Sequence, residues 1–586
     1  VGKIYGWTGK ILKIDLNSGT YSIISPDKNI YIKYIGGRGL GLYYMLSSAH
    51  LHWQNPEMPL MFMTGPLTGT ESPSSGIISI TTMSPLTGTI GDATAGGKFA
   101  TELKKAGWDG IIITGKAPEL SIITIENSNV KIYSALHLKG KSTKETLALT
   151  NNGGSKAVIG PAAENGVLFS TIDFDNEDTA GRNGTGLVMA DKNLKCIHVT
   201  GTKEVPVKDP EELKKAKEDI LRLASASPVL MGELGIAEYG TGTFYDLISS
   251  RRMMPTYNFR STFFPGTEKL NAYTYKQKYN PIKSGCSGCH ILCKRTDSLN
   301  RAIPEYEAMS HFTALTGNRD IETVMEANRI CSEAGMDTTS AASTIACYME
   351  INGIPPGKVE ILKLLNDITS STGEGELLKS GSRKYAALKG RPELSMSVKG
   401  LEIPAYDPRG AYGMALAYAT STRGACHLRA FPLSHEILRK PVATDRFTFS
   451  GKARIIKIAE DLNAAIDSIT ACRFIFFAAT MEEYAKALIA VTGINFTGQD
   501  FLLSGERTCY TERIINYTKG FTSTDDDLPE RFFTEAGTSG EGIEIPPISR
   551  KDFLEARTRY YKIRGLAPEG SPTKEKIKEL KIEWNL

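Results

Sequence analysis

Three cysteines crowd one short stretch, KSGCSGCHILCKR at 283–295. Cys286, Cys289 and His290 spell C-x-x-C-H, the pattern that attaches a c-type haem. Cys286 and Cys289 alone are half of a zinc site. With Cys293 the run becomes C-x-x-C-x-x-x-C, three thiolates on one tight loop, which suits an iron–sulfur cluster. The chain has nine cysteines, none before Cys196. Such a distribution is unlike a secreted disulfide framework, and clustered thiols in a reducing compartment more often hold metal. Five glycine-rich stretches form a second group with chemical potential: IGGRGLG (35–41), TGPLTGT (64–70), SPLTGTIGDATAGGKF (84–99), IGPAAENG (159–166) and AGRNGTGLVMADKNLKCI (180–197). Glycine lets backbone N–H groups approach an anion closely, so together these loops point to an extended, phosphate-bearing ligand held largely by backbone. Tight turns in a β domain are the plainer reading of any one of them. Gly36–Gly41 matches G-x-G-x-x-G only loosely and no βαβ pattern surrounds it.

The elements that must carry these residues divide the chain. At 586 residues it exceeds one hydrophobic core, and several domains are expected. The first 200 residues hold short alternating apolar runs, KILKIDL (10–16), GIISITTM (76–83), DGIIITG (109–115) and LSIITIE (120–126), separated by Gly, Pro and Asn. That pattern predicts a β-rich domain. From 207 onward apolar residues recur at helical spacing. Pro210 followed by Glu211 and Glu212 marks a helix start. In IETVMEANRICSEAGMD (321–337) Val324, Met325, Cys331 and Ala334 share a face, and Gly335 is placed to close the helix in a left-handed turn. In IIKIAEDLNAAIDSITAC (455–472) Ile455, Ala459, Leu462, Ile466 and Ile469 form an apolar stripe leading to Cys472. An extended, Pro-punctuated pattern resumes near 396, and no internal repeat is evident. We therefore expect an α+β protein: a β-rich part at 1–207, a helical part with the cysteine loop at 208–396, and a mainly helical part at 397–586. Apolar residues are 41% and charged residues 23%, with 69 basic against 65 acidic and a net charge of +4. That balance gives no reason to expect nucleic acid or an anionic membrane as partner. No apolar run approaches the roughly 20 residues of a membrane span, and the first residues lack a signal-peptide apolar region, so the cytoplasm is the expected location.

SPLTG, IGPAAEN, AGRNGTG…KNLK, the C-x-x-C-x-x-x-C run, PEYE, AYDPRGAYGMALAYATSTRGACH, DLNAAIDSITAC and the terminal RYYKIRG stand in one order along nearly the whole chain. In this the sequence resembles the tungsten-dependent aldehyde ferredoxin oxidoreductases. The resemblance implies a β saddle built on a pseudo-two-fold, followed by two helical domains. It further implies two pterin dithiolenes holding one tungsten, a magnesium ion bridging the pterin phosphates, and a 4Fe–4S cluster close by. The family's cluster ligands map onto Cys286, Cys289, Cys293 and Cys472. Haem then leaves Cys293 unexplained, zinc lacks a second C-x-x-C, and His290 becomes an incidental neighbour. Segments of the form D-x-x-G-L-(D/C) bind the pterins in the family. Here they read SEAGMD (332–337) and DSITAC (467–472), so Met336, Asp337, Asp467 and Ala471 are the implied contacts. The first Asp is replaced by Ser332 and the second Gly by Thr470. A helix cap is the alternative role for such an Asp.

Other positions depart from the family. Arg429 stands where Lys is usual. Ile77 replaces a basic residue between cluster and pterin, Thr94 replaces an Asn near the magnesium, and Asp178 replaces an Arg. Thr179 offers a backbone carbonyl to magnesium, and Arg182 is a phosphate partner. The family's dimer-bridging iron uses E-x-x-H. This chain has Glu326, Ala327, Asn328 and Arg329, so neither that metal nor a dimer tied by it is expected; an oligomer of another kind is compatible with the sequence. The matching catalytic pair is Glu307, a proton acceptor, and His427, a hydrogen-bonding partner of the substrate oxygen. The implied reaction turns an aldehyde into a carboxylic acid, with water as oxygen source. The electrons pass to ferredoxin or an iron–sulfur electron-transfer subunit. Two other readings share the scaffold: the tungsten subunit of a reductase acting on aromatic thioesters, and a non-catalytic electron-relay subunit.

Overall fold

A computed structural model of the chain describes residues 4–150, 153–538 and 543–584. Twelve strands build two six-stranded sheets. The first takes β1 (Ile11–Asp15), β2 (Thr20–Ile24), β3 (Leu60–Met63), β4 (Ile78–Met83), β5 (Ile90–Ala95) and β6 (Gly110–Thr114), in the order β2-β1-β6-β3-β4-β5. The second takes β7 (Ser121–Glu126), β8 (Asn129–Ser134), β9 (Ser155–Val158), β10 (Ile172–Phe174), β11 (Asp178–Ala180) and β12 (Leu194–Thr200), in the order β11-β10-β9-β12-β7-β8. Counted from its own first strand and read from the other end, the second sheet has the same order as the first. The directions agree as well. In each half the first and sixth strands pair in parallel, and the remaining pairs are antiparallel. The saddle is thus a structural duplication, in agreement with the pseudo-two-fold that the resemblance implied, although the residues show no internal repeat. Leu12, Ile14, Ile111 and Ile113 of one sheet share a buried cluster with Ile123, Ile125, Ile197 and Val199 of the other. Each of the alternating runs read from sequence contains one of these strands.

Helix α1 (Gly37–Met45) occupies IGGRGLG, so this stretch is not a phosphate loop. Its glycines serve close packing instead. A Cβ on Gly39 would meet the Tyr34 carbonyl and the Ser468 hydroxyl, and one on Gly41 would meet the Thr81 side chain. SPLTGT is the plain turn between β4 and β5, closed by Ser84 N–H donating to the Thr89 carbonyl.

Beyond Thr200 the chain is mainly helical. Helix α2 (Pro210–Ser225) begins where Pro210 indicated, with Asp209 accepting from the Glu212 N–H as its cap. Helix α3 (Ile321–Ala334) buries Val324, Met325, Cys331 and Ala334 and ends on Gly335 at φ 74°. Asp337 caps the following helix α4 (Thr338–Ile351). Helix α5 (Lys452–Ile469) ends three residues before Cys472, earlier than the stripe suggested. The stop is Thr470, held at φ 59°, an αL position in which a β-branched residue is uncommon and which explains the glycine usual there. Cys472 then begins a short 3-10 turn, Arg473–Phe477, in extended conformation. Helix α6 (Gly498–Thr518) lies beside α5. Among the described residues no single helix is long and apolar enough to cross a membrane.

Candidate active site

A cavity of about 1900 Å³ opens between the saddle and the helical region. The edge strands of both sheets reach it through Thr94 and Thr179, and the cysteine loop contributes Cys293. Glu307, Asp337 and His427 complete its polar wall.

Glu307 lies in the first turn of the helix Tyr306–Ser310, and His427 in the irregular segment after Gly424. These residues are 120 positions apart, yet His427 Nε2 is 3.3 Å from Glu307 Oε1. Burial pushes the Glu307 carboxyl up to about 7; neighbouring Glu305 adds to the shift and Arg182 opposes it. Burial also holds the His427 imidazole well below its usual range, reinforced by Arg182, Arg423 and Arg473. His427 is therefore neutral at pH 7 while Glu307 divides between its two forms. His427 Nδ1 is buried and has no protein partner. A neutral ring with one nitrogen against a carboxyl and the other without a partner has hydrogen-bonding capacity left for an oxygen brought against it.

Arg182 spans three regions. It donates to Asp337 Oδ2 (3.2 Å), the Ala425 carbonyl (3.1 Å) and the Glu402 carbonyl (2.7 Å). Asp337 also accepts the Thr339 and Ser340 N–H groups and the Ser340 hydroxyl, the cap geometry noted as its alternative role. Met336 is buried beside it on the cavity wall.

Behind the wall lies a group of buried charges. Arg38 grips Glu512 through two bonds of 2.8 Å and donates to Asp467 at 3.2 Å. Arg429 pairs with Asp92 and with Glu512 (3.1 Å). Asp467 is also paired with Arg473, which does face the cavity. Asp467, Ala471 and Arg429 thus lie one layer behind the cavity lining; the Asp467 carboxylate is already paired, whereas Arg429 keeps Nε without a partner. Next to His427, Cys426 accepts N–H groups from Arg423 (2.9 and 3.2 Å) and Leu428 (3.3 Å). Burial opposes ionisation of this thiol, but Arg423 and Arg429 outweigh it and lower its pKa.

Cys286, Cys289, Cys293 and Cys472 share one electrostatic neighbourhood: Cys472 and Cys286 act on Cys293, and Cys286 and Cys289 act on Cys472. Burial pushes Cys286 up to about 11 and Cys472 up to about 12, with the other thiols adding to it. Such proximity is unfavourable for bare thiolates and is relieved by a bound cation. Among the described residues no three His, Cys, Asp or Glu side chains converge on one point as ligands of a single ion do. A cubane takes one thiolate on each of four irons, so it does not require such convergence. The Gly97 and Phe474 N–H groups donate to the sulfurs of Cys286 and Cys472. Gly96 has no room for a side chain, because its Cβ would overlap the Cys286 sulfur. The Cys472 N–H donates to the Ser74 carbonyl at 2.7 Å, fastening the fourth cysteine to the saddle.

Lys294 was not singled out from sequence. It donates to Asp178 at 2.6 Å, and Asp178 also accepts the Gly96 N–H at 2.7 Å. One carboxylate therefore joins both sheets to the cysteine loop, which accounts for an acid at this position. Glu326 is gripped by Arg329 through bonds of 2.6 and 2.9 Å.

Comparisons with known proteins agree with this geometry. Family models described as aldehyde ferredoxin oxidoreductase match in two parts, the N-terminal domain at residues 11–201 and domains 2 and 3 at residues 215–582. Similar proteins include the tungsten-containing aldehyde ferredoxin oxidoreductases of Pyrococcus furiosus and Thermococcus kodakarensis. They are 36% and 35% identical, each over 99% of both chains. A WOR-like subunit of an aliphatic sulfonate oxidoreductase from Pyrococcus furiosus is 25% identical over 99% of this chain and 97% of its own. Among solved structures, a chain of the active-site complex of benzoyl coenzyme A reductase with 1,5-dienoyl-CoA superposes with a TM-score of 0.84. It is 23% identical over 99% of this chain and 98% of the other.

Proposed function

The chain belongs to the aldehyde ferredoxin oxidoreductase family, and from that premise we propose that it oxidises aldehydes to carboxylic acids, takes the oxygen from water and hands the electrons to ferredoxin. It is an oxidoreductase of this type, and membership implies a tungsten–pterin cofactor. The observation that carries the reading is Glu307 at 3.3 Å from a neutral His427 inside the cavity. A relay subunit needs no such pair.

The residues fit the group. His427 Nδ1 is a buried nitrogen in want of a partner, and Thr94 and Thr179 present oxygen to the same cavity. We assign the 4Fe–4S cluster to Cys286, Cys289, Cys293 and Cys472, and the bridging magnesium to oxygen donors of Thr94 and Thr179. Asp337 with Met336, Asp467 with Ala471, and Arg429 are the proposed pterin side, and Arg182 faces the phosphates. The three-part division at 1–207, 208–396 and 397–586 belongs to the same proposal.

When bound, the tungsten–pterin cofactor supplies the Lewis acidity and the two-electron acceptor that no side chain here can supply. Glu307 accepts a proton from water or from the hydrated aldehyde, and a carboxyl near pKa 7 does so at neutral pH without holding it too tightly. His427 orients the substrate oxygen through Nδ1 while Nε2 stays on Glu307. Buried Tyr406, with its ring centroid 5.5 Å from that of His427, fixes the plane of the imidazole and excludes water from one side.

Glu307→Gln is expected to retain iron and tungsten but to lose at least about tenfold in aldehyde-dependent viologen reduction. Unchanged turnover removes Glu307 from its role. Reduction of aromatic thioesters is the second reading, favoured by the aromatic lining of the cavity. Presenting aryl aldehydes and aryl thioesters to one preparation separates the two.

A further inference from the structure

The sector of the cavity beyond the catalytic pair differs in chemistry from the sector facing the cysteine loop. From His427 the aromatic rings continue without a break. The His427 and Phe431 centroids are 6.3 Å apart, those of Phe431 and Phe477 6.1 Å, and those of Phe477 and Phe474 6.3 Å. Tyr406 flanks the first step, 5.9 Å from Phe431. Each spacing lies in the range of favourable ring–ring contact. Phe431, Phe474 and Phe477 are only half-buried, with their remaining faces turned to the cavity. Opposite them runs the open face of α5. Ile455, Ile458, Ala459 and Leu462 line the cavity at helical spacing, with Ile458 49% exposed, while the far face of the helix buries Ile456 and Ala464. The first half of the stripe read from sequence, Ile455 to Leu462, is therefore a cavity wall, while Ile466 and Ile469 are buried in the core. Arg473, the cation nearest these rings in sequence, is neutralised by Asp467.

We propose that this wall is a specificity channel selecting aldehydes that carry an aromatic ring, with the carbonyl at Glu307 and His427 and the ring among Phe431, Phe477 and Leu462. The inference rests on the aldehyde-oxidising reading above. Apolar surface left open to water beside a catalytic pair gains by covering a ring of the substrate. Discrimination in such a pocket comes from how much apolar substrate it buries, at least about tenfold for each well-fitted group.

The test compares kcat/KM of the metal-loaded protein for acetaldehyde, phenylacetaldehyde and glyceraldehyde 3-phosphate, with viologen as acceptor. Phenylacetaldehyde is expected to exceed acetaldehyde by at least about tenfold. Phe477→Ala is expected to erase most of that ratio, chiefly through a higher KM for phenylacetaldehyde than for acetaldehyde, with Phe474→Leu as the milder variant if the first does not fold. Calorimetric binding of two unreactive amides, acetamide and 2-phenylacetamide, gives a readout free of turnover. The phenyl compound is expected to bind tighter, with a negative heat-capacity change. A flat aldehyde series, preference for the phosphorylated aldehyde, or equal binding of the two amides overturns the channel. If no aldehyde is oxidised yet the phenyl amide still binds selectively, the activity is misassigned and the channel stands.

Discussion

The two sheets of the saddle share a strand order and differ in what they present to the cavity. In both, the fifth strand ends in Thr-Ala and runs into Gly: Thr94, Ala95 and Gly96 in the first, Thr179, Ala180 and Gly181 in the second. Around that shared segment the chemistry diverges. Thr94 pairs across the sheet with Ser79, Thr179 with Asp173. The residue before the Thr is Ala93 in one half and Asp178 in the other, and the residue after the Gly is Gly97 or Arg182. The first half thus contributes small neutral groups and backbone N–H donors beside the sulfurs, while the second contributes charge. Backbone pairing requires only that the strands fit; side chains facing the cavity are free to differ. The two halves share a frame, and their side chains make the two sides unequal.

That contrast is sharpest at the paired glycines. Gly96→Ala sets a methyl group against the Cys286 sulfur and is expected to lose most of the iron of the purified protein; equal iron in variant and parent breaks the comparison. The next effect concerns pH. Burial raises Asp173 to about 7, with Asp175 adding to it. A carboxyl raised in the folded state contributes stability that is full below its unfolded value of 3.8 and is lost as pH rises through about 7. Asp173→Asn is therefore expected to be the more stable protein at pH 8, by up to about 4 kcal/mol, and Ser79→Ala to leave the slope untouched. Denaturant midpoints across this window decide it. Asp178→Ala removes the acceptor shared by Lys294 and the Gly96 N–H, a partly exposed pair, at a cost of about 1–2 kcal/mol. The smallest effect belongs to Gly181→Ala, whose added carbon has nothing nearer than the Thr179 hydroxyl at 3.6 Å. Iron and stability should match the parent.

Much of this was readable in advance, and the reasons are specific. Ile11–Asp15 announces itself because a strand writes its two faces into alternate residues, and Gly110–Thr114 because a short unbroken apolar run bounded by glycines marks a strand buried on both faces. Cys286, Cys289 and Cys293 stand out because ligands on one loop must be close in sequence. The duplication came only through the family resemblance and not from any repeat in the residues, because strand order depends on pairings between distant segments and the halves share little beyond Thr-Ala-Gly. Long-range ion pairs were equally silent: nothing near Lys294 names Asp178, 116 residues earlier, and nothing near Arg38 names Glu512, 474 residues later. The stripe on α5 was visible, but periodicity cannot distinguish a face that meets core from one that meets an open cavity. IGGRGLG misled because glycine serves tight helix packing as readily as anion contact.

Cys472 is tethered to Ser74 on the saddle, while its three companions lie on a loop roughly 180 residues upstream, so a bound cubane closes a long circuit of chain. The inorganic group is then a cross-link as well as a conductor. Loss of such a group would release the cysteine loop from the segment around Cys472, while the Ser74 bond and the shared core would still hold the saddle, so proteolysis of the freed loop would report the loss before any global unfolding.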